Sequence, residues 1–590
     1  MEFLIVIFYI LLLWIYDLIK NSPSLFYIIK KIIYDIYIEP FLRIQILLFC
    51  SFLFLLIKFN KRLSKIKGGY YVIYPVIIFT TIYYYIKDLF NININIEMIL
   101  YMLENISLVS GEEDILIQGD IFYFILMIIF IILIYLYQKR YFYLKDLFYS
   151  LWIHLLFIIF IIILSSYMIN YKNLIFPSET ILEATEYQKN HIIPDKNWFK
   201  IKLNPVQSYF RNRWGYSFKK HSNNIVIFLL ESVRKDAINL KQSKYFNPEN
   251  PYNISIPFFY VPIPHSSNTH FTVLTGYYSP RKIHYFYRKI NQTSFFQKLS
   301  TKNLIYELKK HNFQTYYITT NDTSFENEKN FLQYLDLKII EKKDLEKYHL
   351  KQFDWGIDDY ALYLKTKELL PEIQTPFFIL YVFSNTHTPY FNPKPEIYNR
   401  YNNHTRKGRY LNTIEYTMDV IDQIMELYKK QALYKNTLFI LLSDHGESFG
   451  EKGYILHDFS LYNEETLIPF VMHSYYFSYV FDKAKIQKGS ILDIVPTIYD
   501  LYEIPVNYSL PGKSLFSSGY FELFLYPWGD KSKIGLIHQN DKWIFFKEEN
   551  KIYQLNLNDQ LIKQFPLNYE LKQYLETWEP FEDLLKYEFR

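Results

Sequence analysis

The sequence predicts a protein in two parts: a bundle of five membrane-spanning helices, then an α/β domain with a largely parallel sheet that closes in a small antiparallel one. Three observations predict it. Long, nearly uninterrupted apolar stretches crowd the region 1–170; strand-like apolar runs alternate with amphipathic helical segments from Asn224 onward; and beyond Asp493 the segments shorten. With 590 residues, 50% of them hydrophobic and 20% aromatic, the chain exceeds one ordinary domain and has material for a large core.

Taken in order, the apolar stretches are 3–19, 41–59, 70–86, 121–137 and 148–169. Each is long enough to span a bilayer, and helices of a soluble core seldom stay apolar on every face five times over. No small-residue cleavage site follows the first, so it reads as a helix rather than a signal peptide. Loop charge orients them. The loop 60–69 carries Lys61, Arg62, Lys65 and Lys67, and the loop 138–146 carries Lys139, Arg140 and Lys145, so both belong in the cytoplasm. The loop between them, 88–119, holds Glu97, Glu104, Glu112, Glu113 and Asp114 and no Lys or Arg, as an outer loop should. Lys20, Lys30, Lys31 and Arg43 fit this alternation less well. The expected arrangement is a multi-pass protein of the cytoplasmic membrane with its N-terminus inside, a connector over 171–222, and an extracytoplasmic domain over 223–590.

In that domain "IVIFLL", "TYYITT", "FFILYVF" and "LFILLS" read as buried strands. "LIYELKKHNF" and "LNTIEYTMDVIDQIMELYKK" read as the helices between them. Such alternation implies a mostly parallel sheet covered on both faces. Near the end, "KWIFFKEENKIYQLNL" reads as small antiparallel strands. The formal charge of +5, from 64 Lys and Arg against 59 Asp and Glu, is too slight at this length to argue for nucleic acid. The single cysteine, Cys50, excludes an internal disulfide framework and a cysteine zinc site.

Sites in open α/β sheets form at the carboxyl ends of the strands. Here "IVIFLLESVRKD" ends on Glu231, "FFILYVFSNTHTPY" on His387, and "LFILLSDHGE" on Asp444 and His445. A hydroxyl-rich loop, "PHSSNTHFTVLTG", precedes a probable helix. Each alone has an ordinary explanation as a solvated loop or cap residue. Together at successive strand ends they make an oxygen and nitrogen donor set suited to Zn²⁺ or Mn²⁺. A Ser or Thr hydroxyl beside such a cation becomes a nucleophile near neutral pH, and histidines at the rim can hold phosphoryl or sulfuryl oxygens or move a proton.

The segment "SDHGESFGEKGYILH", with "YLNTIEYT" before it and "DIVPTIYDLYEIP", "LPGKSL" and "IYQLNLND" after it, resembles the alkaline-phosphatase-like sulfatase superfamily. More narrowly, the chain resembles the five-helix membrane phosphoethanolamine transferases and lipoteichoic acid synthases. The spacing from Asp444 to His457 is that of the phosphoethanolamine transferases. The resemblance implies a sulfatase-like fold and a metal site of Glu231, Asp444 and His445 with the nucleophile as fourth ligand. It also implies that His387 and His457 contact the phosphoryl group. Superfamily spacing back from Leu274 places the nucleophile at Ser266, with Ser267 and Thr269 as alternatives. The implied reaction moves phosphoethanolamine or phosphoglycerol from a phospholipid donor, through a covalent seryl intermediate, onto a surface lipid or glycan acceptor. Two departures stand out: these transferases usually carry Thr as nucleophile, and the phosphoethanolamine transferases have extracellular disulfides.

Other readings remain. A sulfatase needs a formylglycine made within a short motif containing Pro or Ala and then Arg, and "SSNTH" lacks it. A membrane-anchored phosphodiesterase would share every residue named above, because water can resolve the same intermediate. An inactive membrane scaffold would be expected to lack a metal ligand, and none is missing.

Overall fold

A computed structural model describes residues 194–206, 224–288, 290, 294–481 and 484–587, all within one of the two units into which the chain divides. The five expected membrane helices and most of the connector lie outside the described residues. Among the described residues no helix is long and apolar enough to cross a membrane.

The domain is organised by a seven-stranded sheet. Its strands are β1 (Asn224–Leu230), β2 (Asn253–Ser255), β4 (Gln314–Thr319), β5 (Lys338–Ile340), β6 (Phe377–Val382), β7 (Thr437–Ser443) and β8 (Phe470–His473), in the spatial order β2-β8-β7-β1-β6-β4-β5. The five strands from β7 to β5 run parallel, and β8 and β2 add an antiparallel flank. A separate short strand, β3 (Phe258–Tyr260), belongs to a small neighbouring sheet.

The unbroken apolar runs follow from burial on both faces. Ile225, Ile227 and Leu229 of β1 enter one core; Val226, Phe228 and Leu230 enter the other. The first core also takes α1 (Ser266–Thr275), α2 (Leu304–Lys310) and α5 (Ile494–Leu501), and the second takes α3 (Tyr360–Leu369) and α4 (Arg406–Lys430). Helix α4 begins at Arg406 rather than Leu411, because the Thr405 hydroxyl caps it by accepting the Gly408 N–H at 3.0 Å.

The hydroxyl-rich segment expected as a loop is itself helical: α1 starts at Ser266. It stops at Gly276, whose φ of +80° suits glycine and where a Cβ would meet the Val495 Cβ at 3.0 Å. The C-terminal part forms the expected antiparallel sheet, a five-stranded meander of β9 (Glu522–Leu525), β10 (Lys533–His538), β11 (Asp541–Phe546), β12 (Lys551–Asn556) and β13 (Leu561–Pro566).

Candidate metal centre

Strand register assembles the centre. In the parallel pair β1 and β7, Leu230 lies opposite Ser443, so the next residues, Glu231 and Asp444, leave the sheet side by side. Val382 of β6 pairs with Leu229, which brings the following loop, with His387, to the same edge. The loop is tied there by Thr386, whose hydroxyl donates to the Glu231 carbonyl at 2.5 Å. Ser232 takes the chain through the left-handed region at φ 58°, and its N–H donates to Asp444 Oδ1 at 2.8 Å.

Glu231, Asp444 and His445 are buried, and ligand atoms of all three lie within 4.8 Å of one another. Ser266 joins them from the first turn of α1. Its Oγ lies 3.2 Å from Glu231 Oε1 and 3.2 Å from His445 Nε2. The two alternatives face elsewhere: Ser267 donates to Glu326 at 2.5 Å, and Thr269 donates to the Asp444 carbonyl at 2.7 Å.

Three features fit this set to a divalent cation. Asp444 Oδ1 accepts the Ser232 and His445 N–H groups, whereas Oδ2 is buried without a hydrogen-bond partner. His445 donates Nδ1–H to the Gly446 carbonyl at 2.8 Å, which leaves the Nε2 lone pair facing the carboxylates and Ser266. Burial, and then the adjacent charge of Asp444, pushes the Glu231 carboxyl well above its ordinary range, a repulsion a cation between them removes. Burial likewise pushes His445 down to about 4. The donors, two carboxylates, one imidazole and one hydroxyl, suit zinc or manganese.

His387 and His457 stand at the rim, with rings 6.0 Å apart and His457 4.1 Å from His445. His387 donates Nδ1–H to the Thr388 carbonyl at 2.7 Å, and burial pushes it down to about 4, leaving a neutral ring with a lone pair on Nε2. His457 donates Nδ1–H to Glu447 at 2.9 Å. Burial would lower His457, but Asp458 and Glu447 raise it well above its ordinary range. Trp355 packs on His387 at 4.2 Å and Phe325 on Trp355 at 5.4 Å, an aromatic row leading away from the metal ligands.

Glu231, Ser266, His387, Asp444, His445 and His457 therefore meet at one edge of the sheet. The sequence reading missed four others. Glu447 accepts the Tyr390 hydroxyl at 2.7 Å as well as His457, and its place within "DHGES" was a signal. Asp458 and Glu326 hold the two ring nitrogens of His265 at 2.9 and 3.0 Å, with that ring stacked on Trp528 at 4.5 Å. Burial opposes charge on His265, yet Asp458 and Glu326 raise it to about 9.

Residues 223–504 match the protein-family model described as Sulfatase. Over 201 residues the chain is 27% identical to the uncharacterized sulfatase YdeN of Escherichia coli (strain K12). That match covers 30% of this chain and 32% of the relative, so the chain spans about a third of that protein's length. Among solved structures, the lipoteichoic acid synthase LtaP from Listeria monocytogenes is similar at 15% identity and a TM-score of 0.48, over 66% of this chain and 95% of that one. The zinc complex of the C-terminal periplasmic domain of EcEptC from Escherichia coli is similar at 14% identity and a TM-score of 0.40, over 52% and 90%.

Proposed function

Starting from a chain whose residues 223–504 match the Sulfatase family model, we propose that the protein is a membrane-anchored, metal-dependent transferase of the alkaline-phosphatase-like type. It moves a phospholipid head group, phosphoethanolamine or phosphoglycerol, onto a surface lipid or glycan. The observation that carries the reading is the position of Ser266. Its hydroxyl sits at hydrogen-bond distance from two candidate ligands, beside the unpartnered Asp444 Oδ2, at the first turn of a helix.

Glu231, Asp444, His445 and Ser266 Oγ would hold the cation. Bound there, a zinc or manganese ion lowers the pKa of the hydroxyl and offsets charge on a phosphoryl oxygen. Ser266 Oγ gives up its proton and forms a bond to phosphorus; the ester bond to diacylglycerol breaks, and the departing oxygen takes a proton. An acceptor hydroxyl then attacks the seryl phosphodiester and frees Ser266. His457, anchored by Glu447, presents Nε2 to a phosphoryl oxygen. His387 presents a neutral Nε2 whose lone pair can accept a hydrogen bond from the acceptor hydroxyl. The basic loops around Lys65 and Arg140 support a position outside the cytoplasm for this domain, and a reporter fused after Asn170 should be active only there. Active reporter in the cytoplasm would reverse the orientation.

Incubating the protein with lipid donor and no acceptor should add the head-group phosphate to the peptide 264–281. Ser266→Ala should abolish the adduct, and Ser266→Thr should retain activity because a secondary hydroxyl can still bind the cation. An adduct on Thr269 would refute the assignment of Ser266, and active enzyme with no adduct would refute the covalent route. Release of free head-group phosphate in the presence of acceptor would favour the phosphodiesterase reading.

A further inference from the structure

The segment around Glu326, "TSFENE", carries no sequence signal of function, yet its side chain is buried against both neighbours of Ser266. Glu326 Oε2 lies 3.0 Å from His265 Nε2 and accepts the Ser267 hydroxyl at 2.5 Å, so one carboxylate oxygen straddles the nucleophile position. Its Oε1 lies 3.5 Å from His284 Nδ1. Reaching this position strains the backbone: Glu326 has φ 50° and Asn327 φ 61°. For glutamate that region is disfavoured, and such strain persists only where surrounding contacts hold it.

We propose that Glu326 is a positioning residue that clamps the first turn of α1 and thereby sets the approach of Ser266 Oγ to phosphorus; the inference rests on the transfer reading above. The turn needs such a clamp. His265, the residue before α1, makes no side-chain cap, because its ring nitrogens contact Glu326 and Asp458. Ser266 cannot steady its own turn either, since its hydroxyl faces the candidate ligands. Glu326 supplies the support from a segment about sixty residues away, and His265 carries it on to Asp458, the neighbour of His457. The two sides of the phosphoryl site are thus held by one bridge. Displacing a nucleophile by about 1 Å costs on the order of 10²-fold in rate with no change in what the site binds.

The test uses the full chain in detergent with mixed micelles of phosphatidylethanolamine and phosphatidylglycerol. The rate of adduct formation on peptide 264–281, kcat and KM, metal content and thermal midpoint are measured together. Glu326→Gln keeps the volume and removes the charge. It should slow adduct formation and kcat about tenfold or more, with KM within about twofold and metal content unchanged. Ser267→Ala removes one of the two contacts and should slow the same step about threefold. The double variant should be no slower than the product of the two single effects, since both act through one carboxylate. Adduct formation by Glu326→Gln at the wild-type rate would overturn the clamp, as would a rate loss that merely follows metal loss or a rise in KM at constant kcat. If Glu326→Gln fails to fold, Ser267→Ala decides by the same kcat and KM split, and a wild-type rate there overturns the clamp. Absence of adduct on the wild-type protein would overturn the transfer reading and the clamp with it, whereas wild-type adduct beside an unimpaired Glu326→Gln would remove the clamp alone.

Discussion

The central parallel sheet and the C-terminal meander both bury charged residues, but they use them differently. At the carboxyl edge of the parallel sheet, Glu231 and Asp444 are buried next to each other, like against like, with Asp444 Oδ2 unpartnered. In the meander, Lys542 is buried against Asp559 at 2.9 Å and Lys533 pairs with Asp530, each cation with its counterion. Parallel strands end together at one edge, so their outgoing residues converge and an imbalance of charge can gather there. Antiparallel strands send alternate ends to opposite sides, and their charges settle pairwise. One arrangement leaves like charges together, and the other pairs each cation with its own counterion.

Removing charge at the two places should therefore have opposite signatures. Asp444→Ala should lower bound metal to background and cut transfer by at least about 10³-fold, read by elemental analysis and turnover. Full activity in a metal-free variant would break the contrast. His457→Gln should leave the metal in place and cost about 10²-fold in kcat if, as proposed, the rim histidine holds substrate rather than cation.

In the meander the effect should move from activity to stability. Lys542→Ala leaves Asp559 buried and uncompensated, so unfolding free energy should fall by about 3 kcal/mol while metal content and turnover per folded molecule stay as in the wild type. Metal loss in that variant would mean that the two regions are not separable in this way. The smallest expected effect concerns Lys547, which burial, and then the charge of Arg281, push down to about 8. A lysine with a depressed folded pKa destabilises the fold while it must be charged, below pH 8. That penalty fades as pH rises from about 8 to the ordinary lysine value near 10.4, so stability gains over this window. Lys547→Met should flatten the rise in denaturant titrations at pH 7 to 10, a difference of at most about 3 kcal/mol. An unchanged slope would mean that another group causes it.

Much of the candidate site was legible because it is local. The buried runs of β1, β6 and β7 announce themselves by composition; Glu231, Asp444 and His445 follow directly where two of the runs stop, and His387 lies in the loop after the third. His457 was legible by its distance from Asp444 within one segment. The start of α1 was not, since its first five residues are all polar and the residue before it offers no side-chain cap. Glu326 was illegible for a stronger reason. Its partners lie about sixty residues away in sequence, and its backbone conformation runs against the preference of its own side chain. The expected membrane helices fall outside the described residues, so the architecture seen is that of the sheet domain.

The match of Leu230 to Ser443 also bears on how the chain reaches its native state. Ser232 and Asp444 are 212 residues apart, so the ligands come together only after a long closure, and a slip of one residue would displace Glu231 by about 3.3 Å and turn it to the opposite face. A cation that fits only the aligned pair binds the native register and no slipped one. It then draws the folding equilibrium toward that register by mass action. Metal supplied during refolding should raise the yield of correctly paired domain, which would make the ion a selector of strand register as well as a part of the site.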